Sequence, residues 1–361
     1  DTASLMAGHY LARARAIDLT AYEQELIDAF TKETNPLIRM SLILAMGKVK
    51  GQNVMDFLKG VLTSDLDYRI KVNALRALRS FAYPPVKDVV LELSNHPDVN
   101  VSVGAAGYIQ AKGVKQDGEL YFKKALSSSN WRTRAMMLSA ALQHCSADSK
   151  KAVSEAVISI YKKSGNIYEK AELLRVLSDD PAAYEFVSSQ VFSDHHGVIK
   201  GAGTEALVTM RRHKEFPADD QDVQQKFADI FKRALESGDR VSVFLTAAIL
   251  REPAMNFKAL YKSTGFLNET LDKLDLQKDM DAYRQLQRTI AFFRDEKTEP
   301  SNPPLPKKPL DWELVTSIDP GQVVKLKTTK RDISITLFVN EAPGSAANFT
   351  RLIKEGFFRD G

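Results

Sequence analysis

The sequence of 361 residues lacks most of the features that would place it in a specialised class of protein. It has one cysteine, Cys145, so no disulfide can form within the chain. No run reaches the ~18 to 20 apolar residues that a membrane-spanning helix needs, so we expect no membrane span. A secretion signal begins with basic residues followed by a short apolar core, and the sequence shows no such stretch. The sequence leaves the compartment open between the cytoplasm and the cell envelope.

The positive and negative charges of the sequence nearly balance. The net charge is only +4, with 27% charged and 44% hydrophobic residues, which is typical of a mixed, solvated surface. A nucleic-acid partner is therefore disfavoured, and with it the hypothesis of a DNA-binding repeat protein. None of the six histidines stands next to a glutamate, so metal-binding helical-repeat enzymes that use His-Glu pairs are not matched. We expect no metal and no cofactor.

What the sequence does contain is a helical repeat. Ile38 is followed by a base and then by small or apolar residues four, five, seven and eight positions further on, and Ile70 begins an equivalent stretch. Offsets of zero, four, seven and eight fall on one face of a helix, so each anchor predicts an amphipathic helix. The same frame fits five further anchors: Val101, Thr133, Glu169, Ile199 and Val241.

The period of these anchors indicates helical hairpins. They are separated by 32, 31, 32, 36, 30 and 42 residues, with an insertion before the last. Second amphipathic stretches such as VMDFLKGVLT lie between them, and turn residues such as Asn35 and Asp67 precede them. One hairpin cannot bury both its faces, so neighbours must stack and the ends need capping helices. ASLMAGHYLARARAI and DAYRQLQRTIAFFRDE are candidates for these caps.

The recurring turn Asp or Asn, apolar residue, base and Ala-Leu stripe resemble the HEAT repeat across residues 35–253. The resemblance implies a mostly α fold, a HEAT-like α-α superhelix (solenoid) with a long concave surface on which proteins or peptides bind. The positions six and nine after each anchor are candidates for that surface. They hold Arg76, Arg79, Gln110, Arg175 and Glu205.

A proline-rich segment follows the repeats. TEPSNPPLPKKPLDW holds five of the fourteen prolines within ten residues, from Pro300 to Pro309. Proline fixes φ and lacks a backbone donor, so neither helix nor sheet continues through this segment. We therefore predict a helical repeat domain over residues 1–297, a stiff linker over 298–310 and a second, incomplete domain over 311–361.

The sequence of the second domain predicts two strands and a helix. QVVKLKT and DISITLF alternate apolar and polar residues, and TKRD joins them into an antiparallel pair. APGSAANFTRLIKEG predicts a helix with Pro343 in its first turn and Gly356 at its end. Its apolar face would consist of Ala346, Phe349, Leu352 and Ile353.

About the last forty residues resemble the opening of a cyclophilin-type peptidyl-prolyl isomerase. The shared features are the first hairpin, the EAP step, a helix with Asn348 and Phe349, and a Gly-aromatic-aromatic turn before Gly361. The family has glycine where Arg331 stands, a departure that a longer turn accommodates. HEAT repeats joined to such a domain resemble a group of bacterial isomerases. The resemblance implies a partial β-barrel, of which this chain holds the first hairpin and helix.

In that family, the catalytic arginine lies in a Phe-His-Arg segment on the strand after this turn, and no residue of the chain matches it. We therefore carry over no catalytic residue and expect the chain to be a fragment of a longer protein. The leading hypothesis is an isomerase of X-Pro bonds in proteins, whose solenoid recruits proteins or peptides, including proline-containing ones. The alternative is a scaffold for protein interactions without enzymatic activity. The oligomeric state stays open.

Overall fold

The computed structural model is mostly helical, with one small antiparallel sheet of two strands among the residues it describes. The chain divides into two compact units, Asp1–Ser301 and Asn302–Gly361. Most of the predicted linker lies outside the described residues. The described residues are 2–14, 17–193, 196–276, 278–296 and 309–358.

The first unit is built from α-helices joined by short turns. In chain order they are α1 (Thr2–Arg13), α2 (Glu23–Lys32), α3 (Pro36–Met46), α4 (Gln52–Thr63), α5 (Tyr68–Leu78), α6 (Lys87–Leu93), α7 (Val99–Lys112), α8 (Gly118–Ser127), α9 (Trp131–His144), α10 (Ala147–Lys163), α11 (Ile167–Val176), α12 (Tyr184–Ser193), α13 (Gly197–Arg212), α14 (Gln221–Glu236), α15 (Arg240–Leu250), α16 (Phe257–Leu260), α17 (Gly265–Lys273) and α18 (Met280–Phe293).

Seven of these helices carry the predicted anchors, and we call them the repeat helices: α3, α5, α7, α9, α11, α13 and α15. Most begin directly after a turn residue whose side chain accepts a hydrogen bond from a backbone N–H of the first turn. In α3, for example, Asn35 Oδ1 accepts from the N–H of Leu37 at 2.9 Å. Each such cap stabilises a helix by about 1 kcal/mol. The capping residues are Asn35, Asp67, Asp98, Asn130, Asn166 and Asp239.

The anchor is the third residue of its helix in six of the seven repeat helices, and in those six it is buried. The prediction at Val241 is wrong by one residue. Val241 is the second residue of α15 and is 42% exposed, whereas Ser242 in the third position is 1% exposed. The error arose because Ser242 is polar and its apolar neighbour fitted the pattern better.

In the first unit, each repeat helix packs against the next one along the chain, so that the repeat helices form a row. The repeat helices contact one another in chain order, with α1 before α3 and α18 after α15. The intervening helices α2, α4, α6, α8, α10, α12 and α14 each contact the repeat helix that follows, and α17 contacts α18 in the same way. Their facing side chains form one continuous hydrophobic core. The two predicted capping segments are therefore helices that extend the row at either end.

Polar side chains in this core bond across neighbouring repeat helices. Glu169 of α11 accepts from Arg134 of α9 and, at 2.7 Å, from the hydroxyl of Ser164. A buried polar group needs such a partner, so these bonds explain why polar anchors occur among β-branched ones. Examples of such pairs are Ser102 with Thr133, Arg134 with Glu169, and Thr204 with Ser242.

The second unit contains α19 (Trp312–Thr316), β1 (Val323–Lys327), β2 (Asp332–Thr336) and α20 (Pro343–Lys354). The strands pair antiparallel, with Val324 opposite Ile335 and Leu326 opposite Ile333. In the turn between them, the Thr328 hydroxyl donates to the carbonyl of Arg331 at 2.7 Å. A small core holds the unit together. It consists of Val315, Ile318, Leu337, Val339, Ala346 and Ala347.

Sequence and structure differ in detail here. Gly356 ends α20 as predicted, with φ at +75° and its N–H donating to the carbonyl of Ile353 at 3.0 Å. Helix α19 was not predicted, because five residues are too few to show a helical period. The alternating pattern predicts strands with one apolar face, and on that face Leu326 and Ile333 are 39% and 44% exposed. On α20, Ala347 is buried and Phe349 only partly so.

Candidate functional site

One groove on the repeat helices lies where the first turns of α13, α15 and α18 meet the end of α11. Its volume is about 780 Å³. Val198, Val241 and Phe244 line it with apolar side chains that are 40%, 42% and 37% exposed. Gly201 faces Val241 closely, since a Cβ added there would lie 3.1 Å from Val241 Cγ1. We call this cavity the α13–α15 groove.

Charged residues surround this apolar surface in equal numbers. At one end, Arg175 Nε donates to Glu205 Oε2 at 2.7 Å, and Arg175 Nη1 donates to Glu172 at 3.1 Å. Three bases and three acids line the groove, so charge does not favour an anionic or a cationic ligand. The six are Arg175, Arg240, Lys278, Glu205, Asp279 and Asp281.

A second, smaller groove lies between α5 and α7, and its volume is about 310 Å³. Arg76 and Arg79 line it, and no acidic residue does. Arg76 Nη1 donates to Asn73 Oδ1 and Arg79 Nη2 to the carbonyl of Gly107, both at 3.2 Å. We call this cavity the α5–α7 groove. Its charge is therefore of one sign, in contrast to the α13–α15 groove.

Gln110 lies in neither groove. Its amide donates to the hydroxyl of Ser139 at 2.9 Å, and that hydroxyl donates to Asp179 at 2.7 Å. Burial raises the pKa of the Asp179 carboxyl, while hydrogen bonds from Ser139 and Gln143 oppose the rise. Gln110 thus belongs to a bonded network that joins neighbouring helices.

The five residues predicted for the concave surface are consequently divided. Arg175 and Glu205 meet at the α13–α15 groove, Arg76 and Arg79 line the α5–α7 groove, and Gln110 is bonded between helices. Sequence reasoning missed the apolar lining at Val198, Val241 and Phe244. The available signal was position, because these residues lie in the first two turns of their helices, ahead of or beside the buried anchor.

Exposed apolar side chains in the first helical turn are a general feature of the repeat helices. Six of the seven carry a large one, between 36% and 60% exposed. They occupy the first or second residue of the helix. The residues are Leu37, Tyr68, Val99, Tyr168, Val198 and Val241.

Among the described residues, no cluster of three or more His, Cys, Asp or Glu side chains could hold a metal ion. Within the same part of the chain, the helices are too short or too polar to cross a lipid bilayer.

Comparison with known proteins gave no relative: no protein-family model, no curated protein and no solved structure matches this chain.

Proposed function

We propose that the first unit is a HEAT-like solenoid that binds extended segments of other proteins. We also propose that the protein is a cyclophilin-type peptidyl-prolyl isomerase, for which the solenoid recruits these segments. The observation that carries the binding proposal is the α13–α15 groove. Its volume of about 780 Å³ and its apolar lining suit a few side chains of a peptide. The row of neighbour contacts between repeat helices supports the solenoid.

The chemistry of the α13–α15 groove favours an uncharged, apolar segment. Phe244 and Val241 offer apolar surface, and the Arg175–Glu205 pair already satisfies its own charges. Proline-containing segments fit this description, because they are extended, lose little conformational entropy on binding and pack their rings on aromatic side chains. The α13–α15 groove would therefore hold apolar segments near X-Pro bonds.

The isomerase proposal rests on the second unit. The order of hairpin and helix resembles the start of a cyclophilin barrel, and the exposed side chains of Leu326 and Ile333 leave apolar surface for further strands to cover. Rotation about X-Pro faces a barrier of ~18 to 20 kcal/mol set by amide resonance, which an isomerase must lower. The resemblance to cyclophilins implies that Phe349 and Gly356 are framework residues. We therefore assign catalysis to none of the residues in this chain.

Binding is tested by fluorescence anisotropy with a short fluorescein-labelled peptide of alternating leucine and proline. We expect Phe244→Ala to weaken binding by about tenfold or more, because an aromatic side chain that becomes buried on binding contributes strongly to affinity. Leu126→Ala is the matched control, since Leu126 is 54% exposed on α8 and lines neither groove. Absence of binding to the unaltered chain, or equal affinity in the Phe244 variant, would overturn the binding proposal.

Catalysis is tested by cis/trans exchange of a proline peptide, comparing residues 1–361 with the product of the whole gene. We expect acceleration by the whole product only. Acceleration by residues 1–361, after removal of contaminating isomerases, would contradict the assignment. Absence of acceleration by the whole product would favour the non-enzymatic scaffold.

A further inference from the structure

The arginines of the α5–α7 groove differ from the arginines of this chain that form ion pairs. Arg69, Arg134, Arg175 and Arg351, for example, each pair with a carboxylate. Among the described residues, Arg76 and Arg79 pair with none, and each donates only one hydrogen bond to a neutral oxygen. A guanidinium has five N–H donors, so most of the donors on this pair remain for a ligand. The two side chains are also exposed to solvent.

Two glycines give that ligand access to the base of the α5–α7 groove. Gly104 and Gly107 are three residues apart on α7 and therefore lie on one face of the helix. A Cβ at Gly104 would lie 3.2 Å from Leu75 Cδ1, and one at Gly107 would lie 3.5 Å from Arg79 Nη2. Glycine at both positions thus leaves α7 open beside the arginines and lets Arg79 reach the carbonyl of Gly107.

Apart from the arginines, the two glycines and Asn100, the side chains that line the α5–α7 groove are apolar. Val72 and Leu75 of α5, Val103 of α7 and Met136 of α9 line it. A ligand that satisfies the whole groove needs an anionic group for the arginines and an aliphatic group beside it. A planar carboxylate accepts two parallel hydrogen bonds from a guanidinium, and an aliphatic side chain buries the apolar lining.

We propose that the α5–α7 groove binds an acidic, extended peptide segment in which glutamate or aspartate alternates with apolar residues. The side-chain carboxylate bonds to Arg76 and Arg79, and the neighbouring apolar side chain packs on Val72 and Val103. Nucleic acid is a poorer match, because binding a phosphate backbone requires many lysine and arginine side chains and the chain carries a net charge of only +4. The inference rests on the proposed function only in taking the ligand to be a protein segment.

The test uses residues 1–361 and two short fluorescein-labelled peptides, one repeating Leu-Glu and one repeating Leu-Gln. We expect the Leu-Glu peptide to bind at least about tenfold more tightly than the Leu-Gln peptide, and to weaken as salt is added. The double variant Arg76→Gln/Arg79→Gln should lose this preference. Lys123→Gln/Lys151→Gln, which removes two exposed bases outside the α5–α7 groove, should retain it.

Three results would overturn the proposal. They are equal affinity for the two peptides, full Leu-Glu binding by the arginine variant, and displacement of the Leu-Glu peptide by double-stranded DNA at a lower concentration than by unlabelled peptide. Circular dichroism of each variant confirms that it is folded. The leucine-proline peptide is measured in parallel, and because it reports on the α13–α15 groove, failure of one proposal is distinguishable from failure of the other.

Discussion

Removing the charge of Glu169 should destabilise the junction between α9 and α11. The Glu169 side chain is only 10% exposed, and its partner Arg134 is 22% exposed. Glu169→Gln preserves size but leaves the Arg134 charge without a carboxylate. A hydrogen bond to a charged group contributes about 1.5 to 3 kcal/mol, and we expect a loss of unfolding free energy in that range. The same substitution at Glu155 should cost under about 0.5 kcal/mol, because exposed pairs contribute little.

Glu155 is a suitable control because it forms an exposed helical pair with Lys151 at 3.9 Å. Unfolding in urea followed by far-ultraviolet circular dichroism gives the two free energies. Hydrogen exchange should show lost protection in α9 and α11 of the Glu169 variant and little change elsewhere, since the bond joins only those helices. Equal losses for the two variants, or unchanged exchange in α9 and α11, would refute the reasoning.

Three other predictions follow from close contacts, burial and unit boundaries. Gly118→Ala should cost about 1 to 3 kcal/mol in urea unfolding, because its Cβ would lie 2.5 Å from the carbonyl oxygen of His144. Gly60→Ala, with nothing within 4 Å, should instead add about 0.5 to 1 kcal/mol. Burial raises the pKa of Asp179 above its ordinary value of 3.8, so the folded state holds the proton more tightly and stability falls as pH rises through that range. The stability of Asp179→Asn should therefore rise relative to that of the unaltered chain as the pH is raised above about 4, and a constant difference in urea midpoint would contradict this. A chain ending at Glu296 should keep a cooperative thermal transition in circular dichroism, because the contacts between repeat helices precede that residue.

Periodicity and turn chemistry were sufficient to predict the repeat helices. Apolar residues at helical spacing located α3 and α5, and the turn residues Asn35 and Asp67 marked where they begin. The frame failed at α15 because Ser242 takes the buried position and bonds to Thr204, a long-range pairing that one sequence does not show. Helix α19 packs against α20, and its only local signal is the capping residue Asp311, because five residues are too few to show a helical period.

The candidate sites were only partly predictable for a related reason. Counting from the anchor placed Arg175 and Arg76 at grooves, because a fixed offset from a buried residue sets the direction of a side chain. The same rule chose Gln110, whose bond to Ser139 depends on the distance between two helices. Val198 was overlooked because the sequence alone does not distinguish an exposed apolar residue from the buried apolar residue beside it.

The row of contacts between neighbouring helices also affects how the chain can fold during synthesis. Each repeat helix from α5 to α15 packs on the one before it, which has already left the ribosome when the later helix emerges. No repeat helix has to wait for a distant segment, so buried surface accumulates steadily from the N-terminal end. The growing end exposes the unpartnered face of one repeat helix at a time, which limits the apolar surface offered to other nascent chains.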